Sequence, residues 1–256
     1  MELKPHRSTY WLNAKAKRDD PARHAAQEKE ICDLYAQAQA LHEHGVHVTS
    51  TDEKTGIQAL ERAAPTKPMR PGQVERREYE YVRHGTQCLI ASFAVATGTI
   101  IAPTIGATRS EKDFVEHIRQ TIASALDEQW IFILDGLNTH FSESLVRLVA
   151  GMEDGSGVAT ELGVKGKEGI LKNVESRRAF LSNPDHRVRF VYTPKHCSWM
   201  NQIEIWFSIL SRRALKRASF RSVDELKTAL REFIAYFNRV LAKPFRWTYT
   251  GRPLTT

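Results

Sequence analysis

The sequence predicts a mixed α/β domain: one central sheet flanked by helices. Three observations predict it. Short apolar or alternating runs recur at 46–52, 130–134 and 186–194, two apolar runs flank Thr97-Gly98, and capped amphipathic stretches lie between and after them. The implied order is strand, hairpin, helix, strand, helix, strand, helix, helix, which suits a layered α/β arrangement.

Taken in order, the first 25 residues are charged and lack apolar periodicity, so they read as a tail or linker. Residues 27–44 space Ile31, Leu34, Tyr35, Ala38 and Leu41 three and four apart, an amphipathic helix. Val46 to Asp52 alternates and reads as a strand, whereas 53–80, with Pro65, Pro68 and Pro71, reads as a long loop. "QCLIASFAVATGTIIAPTIG" predicts a β-hairpin turning at Thr97-Gly98. Ser110 opens a helix to about Leu126, with Asp113 in the capping-box position. An apolar strand at 130–134 ends at Asp135, and Ser142 can cap a helix through Val149. Glycines break the pattern around 151–169, and 170–182 turns helical again. "HRVRFVYTP" is a further strand closed by Pro194. A long helix is expected from about Trp199 to Arg217, and a last one from Ser222, boxed with Glu225, to about Leu241.

Composition narrows the classes. The chain has 256 residues, 41% of them hydrophobic, enough for one large domain or two small ones with a proper core. No apolar run is long enough to span a membrane, and the start of the chain has no secretory pattern. Three scattered cysteines suit a reduced, cytoplasmic protein. Net charge is +7, concentrated between Glu161 and Arg221, where 13 Lys/Arg face 5 Asp/Glu. That excess is either a solvated basic face or a surface for a polyanion such as DNA, whose counterions are released on contact.

Three acids fall at telling places. Asp52 and Asp135 each end a predicted strand. If those strands are parallel neighbours, both carboxylates share the sheet edge where α/β folds place their sites. Two close carboxylates resist joint ionisation, and a divalent cation removes the conflict; oxygen ligands favour Mg2+ or Mn2+. Glu204 lies in "SWMNQIEIWFSIL", where Trp199, Ile203, Trp206, Phe207 and Leu210 form an apolar stripe with Glu204 at its edge. Asn201 and Ser208 share its polar flank. Taken singly, each acid reads more readily as a turn, cap or solvated residue. Together they would suit two-metal phosphoryl transfer, with Asp135 bridging two ions and Asp52 and Glu204 completing the shells.

"STDEKTGIQAL" around Asp52, "FILDGLNTH" around Asp135 and "VYTPKHCSWMNQIEIWFSIL" around Glu204 resemble the catalytic D-D-E blocks of bacterial insertion-sequence transposases. The branch is the mariner-like one called IS-six-thirty. The resemblance runs from about Lys4 to Pro253. It implies a ribonuclease-H-like catalytic domain over 45–242 with a basic insert at about 151–186. Residues 1–44 would be a linker and helix left from the end of a helix-turn-helix region, and 243–256 a C-terminal tail. It further implies two Mg2+ or Mn2+ ions on Asp52, Asp135 and Glu204, cleavage at the element's ends, and joining of a 3′-hydroxyl to target DNA, typically at TA. The acting species would be a homo-oligomer in a synaptic complex, nucleoid-associated when active. His140, Asn138, Ser198, Asn201, Lys195, Arg212 and Arg213 are candidates for orienting the site or contacting DNA. Two departures from the resemblance are expected to matter: the sequence would carry only the end of the helix-turn-helix reader, and Gly136 stands where the family commonly has Asn. The alternative is a catalytically silent remnant that binds DNA or partners and dampens transposition.

Other candidates are weaker. His42, His44 and His47 are close but lack a partner set at zinc spacing. His196 and Cys197 are adjacent, and adjacent side chains generally point apart. Trp199, Trp206 and Phe207 read as core packing rather than base-stacking platforms.

Overall fold

A computed structural model describes residues 19–153 and 161–250. Helix α1 (Pro21–Glu43) precedes β1 (Val46–Arg62), β2 (Tyr81–Ala94) and β3 (Ile100–Gly106). Helix α2 (Glu111–Ile122), β4 (Gln129–Leu134), α3 (Glu143–Glu153), α4 (Val174–Leu181) and β5 (Val188–Tyr192) follow. Helices α5 (Ile203–Leu210) and α6 (Val223–Tyr236) close the domain, each running on into a π-helical turn, Ser211–Leu215 and Phe237–Leu241. The sheet has five strands in the order β3-β2-β1-β4-β5. The β1–β2–β3 meander is antiparallel, whereas β4 and β5 run parallel to β1.

Strand alternation splits the core into two layers. In β4, Ile131 and Ile133 face the layer built with α1, α5 and α6, while Trp130, Phe132 and Leu134 face the layer of α2, α3 and α4. Strand β4 is therefore apolar on both faces because both are covered, as befits a strand paired in parallel on each side.

Several expectations are corrected. Helix α1 begins at Pro21, not near 27: Asp20 caps it by accepting from Arg23 N–H at 3.0 Å, and proline suits the first helical position. Strand β1 continues to Arg62 through two register shifts, so Asp52 sits within a strand and the loop shrinks to the segment before Tyr81. The helix expected at 170–182 is limited to Val174–Leu181, capped by Asn173. The Trp199–Arg217 helix divides into a 3-10 turn, Ser198–Met200, and α5 with its π turn. At α6, Ser222 caps Glu225 N–H, but the Glu225 carboxylate accepts from Arg221 N–H rather than returning to Ser222. The Ser110–Asp113 capping box forms as expected. The 243–256 tail is structured where described, since Phe245, Trp247 and Tyr249 pack on the core. Gly98 shows why the hairpin needs glycine: its φ is +73°, and a Cβ there would lie 2.1 Å from the Lys243 backbone. Part of the 151–186 insert, and residues 1–18, lie outside the described residues.

Candidate active site

The parallel pairing of β1 and β4 runs from Val46 opposite Gln129 to Ser50 opposite Ile133. Continued by two residues, that register sets Asp52 beside Asp135, on strands about 4.8 Å apart. Asp52 is only 7% exposed. Burial, reinforced by the charge of Asp135, pushes its carboxyl up to about 7. The pair is thus a poor place for two bare negative charges and a good one for a cation.

Asp52 is held on two sides. Its Oδ1 accepts from Glu53 N–H at 2.7 Å, and Asn201 Nδ2 lies 3.4 Å from Oδ2 while donating to Thr51 O at 3.0 Å. Asn201 Oδ1 accepts from the Ser50 hydroxyl, and Ser50 Oγ in turn accepts from Ile203 N–H at 2.8 Å. These bonds fasten the start of α5 to β1. Glu204 lies in the first turn of α5, exposed, three residues past buried Asn201. Its apolar neighbours Ile203, Trp206, Phe207 and Leu210 are buried, so the stripe packs while the carboxylate stays at the surface.

Asp135 is partly exposed, with its side chain 32% accessible. Its Oδ1 accepts from Leu137 N–H and from His140 Nδ1, both at 2.9 Å. Burial alone would raise its carboxyl, but the His140 and Leu137 bonds outweigh that and hold it below the usual range. His140 is fully buried, 4.4 Å from the Phe114 ring. Its other nitrogen lies 3.4 Å from Glu53 Oε1 without a well-formed hydrogen bond. Burial opposes charge on this imidazole, yet the two carboxyl partners raise it to about 9. His140 is therefore a cation bridging Asp135 and Glu53, and its burial turns it towards Asp135 rather than a DNA surface.

Among the remaining candidates, exposed Lys195 and Ser198 line a cleft of about 600 Å³ with Asp135, Gly136, Arg23 and Arg178. Asn138 is exposed in the 3-10 turn after Asp135. Arg212 and Arg213 are exposed on the π turn after α5 and line a separate hollow with Phe237 and Phe245. Gly136 has open space where a Cβ would stand and no positive φ, so nothing in the backbone demands glycine. Trp206 and Phe207 are core residues as expected, but Trp199 is 50% exposed, against Trp247 and Tyr249. His47 pairs with Glu128 and stacks on Trp130, and His44 bonds the Ala40 carbonyl, which accounts for two of the three clustered histidines.

Two contributors escape the sequence reading. Glu53 follows Asp52, and alternation turns it to the other side of β1, where it meets His140. Arg109 adds a positive charge that favours ionised Asp135. A strand residue of unlike neighbours, "TDEK", was the available signal for Glu53.

The family model described as DDE superfamily endonuclease matches residues 47–227. Similar solved structures include the Mos1 mariner paired end complex with Mn, at 13% identity and a TM-score of 0.50, covering 92% of this chain and 59% of that one. A pre-cleavage Mos1 transpososome matches at 12% identity and 0.49, with the same coverage. The catalytic domain of Mos1 mariner transposase matches at 11% and 0.48, over 89% of this chain and 85% of that one. The first of these establishes likeness of fold, a mixed ribonuclease-H-like sheet with flanking helices. This chain spans about 59% of the chain in the paired end complex. No curated protein matches.

Proposed function

Because the chain belongs to the DDE superfamily of endonucleases, we propose that it is the catalytic domain of a transposase that cleaves DNA strands and transfers them, with Asp52, Asp135 and Glu204 as the catalytic carboxylates. The observation that supports this reading is the parallel β1–β4 register, which continued by two residues would bring Asp52 beside Asp135, with the start of α5 bonded to the same strand through Asn201.

The donors suit a hard divalent cation. They are all carboxylate oxygens, and burial, reinforced by the charge of Asp135, raises Asp52 to about 7, a shift that a bound cation would reverse. Asp52, Asp135 and Glu204 would hold Mg2+ or Mn2+, two ions in the complete site. When bound, such ions activate water or a 3′-hydroxyl and neutralise charge on the phosphate under attack. The chain's own residues supply the frame. His140 fixes one oxygen of Asp135, Asn201 steadies Asp52, and Lys195, Arg23 and Arg178 make the adjoining cleft attractive to a phosphate backbone.

The finer reading is a mariner-like insertion-sequence enzyme of the IS-six-thirty branch, acting in the bacterial cytoplasm as a homo-oligomer on its element's ends. Among the described residues no helix is long and apolar enough to cross a membrane. The test is nicking of supercoiled DNA carrying the element's ends, with Mg2+ or Mn2+, alone and with a separately supplied helix-turn-helix module. Metal-dependent nicking that disappears in Asp135→Ala supports the proposal. DNA binding without nicking under every condition would favour the silent remnant.

A further inference from the structure

Helix α1 and the loop between β5 and α5 meet at a buried cluster that the acid site does not use. His24 and Glu28 stand one turn apart on α1, each 4% exposed, and Cys197 reaches them from the loop at 7% exposed. His24 Nδ1 lies 3.3 Å from Glu28 Oε1, and His24 Nε2 lies 3.7 Å from Cys197 Sγ. One donor atom from each residue falls within 4.8 Å of the others. His24 Nδ1 is buried and makes no hydrogen bond although the carboxylate is close by.

We propose that His24, Glu28 and Cys197 bind a zinc ion that clamps α1 to the loop leading into α5. A tetrahedral ion with bonds of about 2.0–2.3 Å to nitrogen, oxygen and sulfur separates its ligands by roughly 3.3–3.8 Å. The 3.3 and 3.7 Å contacts use different ring nitrogens of His24, and one donor atom from each residue lies within 4.8 Å of the others, so the cluster must close around a single ring nitrogen to complete three ligands. The i,i+4 spacing puts both helical donors on one face. A thiolate, an imidazole and a carboxylate together select zinc over the hard Mg2+ or Mn2+ that the acid site would take. Tyr249 stands close enough to Glu28 to interact with its carboxylate, and would give a ligating carboxylate outer support. The fourth position falls to water or to another donor. A cysteine and a histidine 173 positions apart, joined by an i,i+4 carboxylate, carry no local zinc spacing, so the cluster is visible only once the chain is folded. The clamped loop carries Ser198 and leads to Asn201 and Glu204, so the ion would stiffen one border of the acid site from a distance.

The test uses the full chain purified without chelator, equilibrated with zinc and then freed of excess. Elemental analysis is expected to find about one zinc per chain, and zinc to raise the unfolding midpoint of the wild type. Cobalt in its place is expected to give a thiolate charge-transfer band. Cys197→Ser should abolish that band, Cys197→Ser and His24→Ala should both lose the tight zinc, and an Asp52→Asn, Asp135→Asn double variant should keep it. Folded wild-type chain with only trace zinc and no zinc-dependent midpoint overturns the proposal whatever the variants do. So does zinc that survives Cys197→Ser, or that departs with the acid-site variant. The acid-site proposal stands or falls separately, since it is read from metal-dependent nicking.

Discussion

At the scale of single residues, two buried histidines show how surroundings decide charge. His117 lies between Ser92 and Thr104 hydroxyls with no acid, and burial lowers it to about 4, so it stays neutral. His140 is equally buried but sits between two carboxyls, and rises to about 9. Replacing His140 by Ala should therefore do more than remove packing. It frees Asp135 and leaves Glu53 buried without its cation, a loss of about 3–5 kcal/mol for a broken buried pair; the check is a denaturant unfolding series. For Asp52 it is the effect of removing the side chain that has the opposite sign. Its carboxyl is raised from an ordinary 3.8 to about 7, so in metal-free protein its stabilising contribution is complete below pH 4 and is lost as pH rises through 7. Asp52→Asn should then raise the melting temperature of metal-free protein at pH 8 by about 2–4 °C, on the order of 1 kcal/mol, while abolishing nicking. A lower melting temperature would contradict the assigned strain. Gly136→Asn should fold with stability within about 1 kcal/mol of the parent, because a Cβ meets nothing there; a large loss on thermal unfolding would refute that reading.

At the scale of elements, what was legible follows from periodicity. Strand β4 announced itself because covered faces need an unbroken apolar run, and α2 because Ser110 and Asp113 form a box. The hairpin was legible from Thr97-Gly98, although the reason for glycine, the close passage of Lys243, was not. The far half of β1 was missed because its outer residues are charged and Gly56 breaks the alternation at a bulge, so "EKTGIQALER" looks like loop until β2 pairs with it. The split of the long C-terminal helix was hidden as well, since Asn201 looks like a helix surface residue until Ser50 and Thr51 claim its side chain. Asp135 was legible as a strand end and Glu204 as a helix edge, whereas Asp52, read as a strand end, lies inside β1, and Glu53 and the His140 bridge depend on a contact 87 positions apart in sequence. Packing of α5 rests on Trp206, wholly buried against Phe207 and Phe237. Trp206→Ala should cost about 3–5 kcal/mol and loosen the helix that carries Glu204, measurable as faster amide exchange there than in α3.

At the scale of the whole molecule, the charge distribution and the sheet edge work together. The segment from Glu161 to Arg221 carries a local excess of eight positive charges and supplies Arg178 and Lys195 to the cleft that Asp135 enters. Binding to DNA should then be strongly salt-dependent, falling on the order of 10³-fold between 50 and 200 mM salt if about six phosphates are engaged, as read by fluorescence anisotropy. A flat salt response would remove the basic surface from the account. The central claim is narrower: Asp52, Asp135 and Glu204 gather divalent metal at one sheet edge. Its most direct measurement is a crystal of the chain with Mn2+, read by anomalous scattering. The account predicts a manganese peak between the carboxylates of Asp52 and Asp135, with Glu204 turned towards the metal. A soaked crystal with no peak there, or with Glu204 directed away from it, would contradict the account.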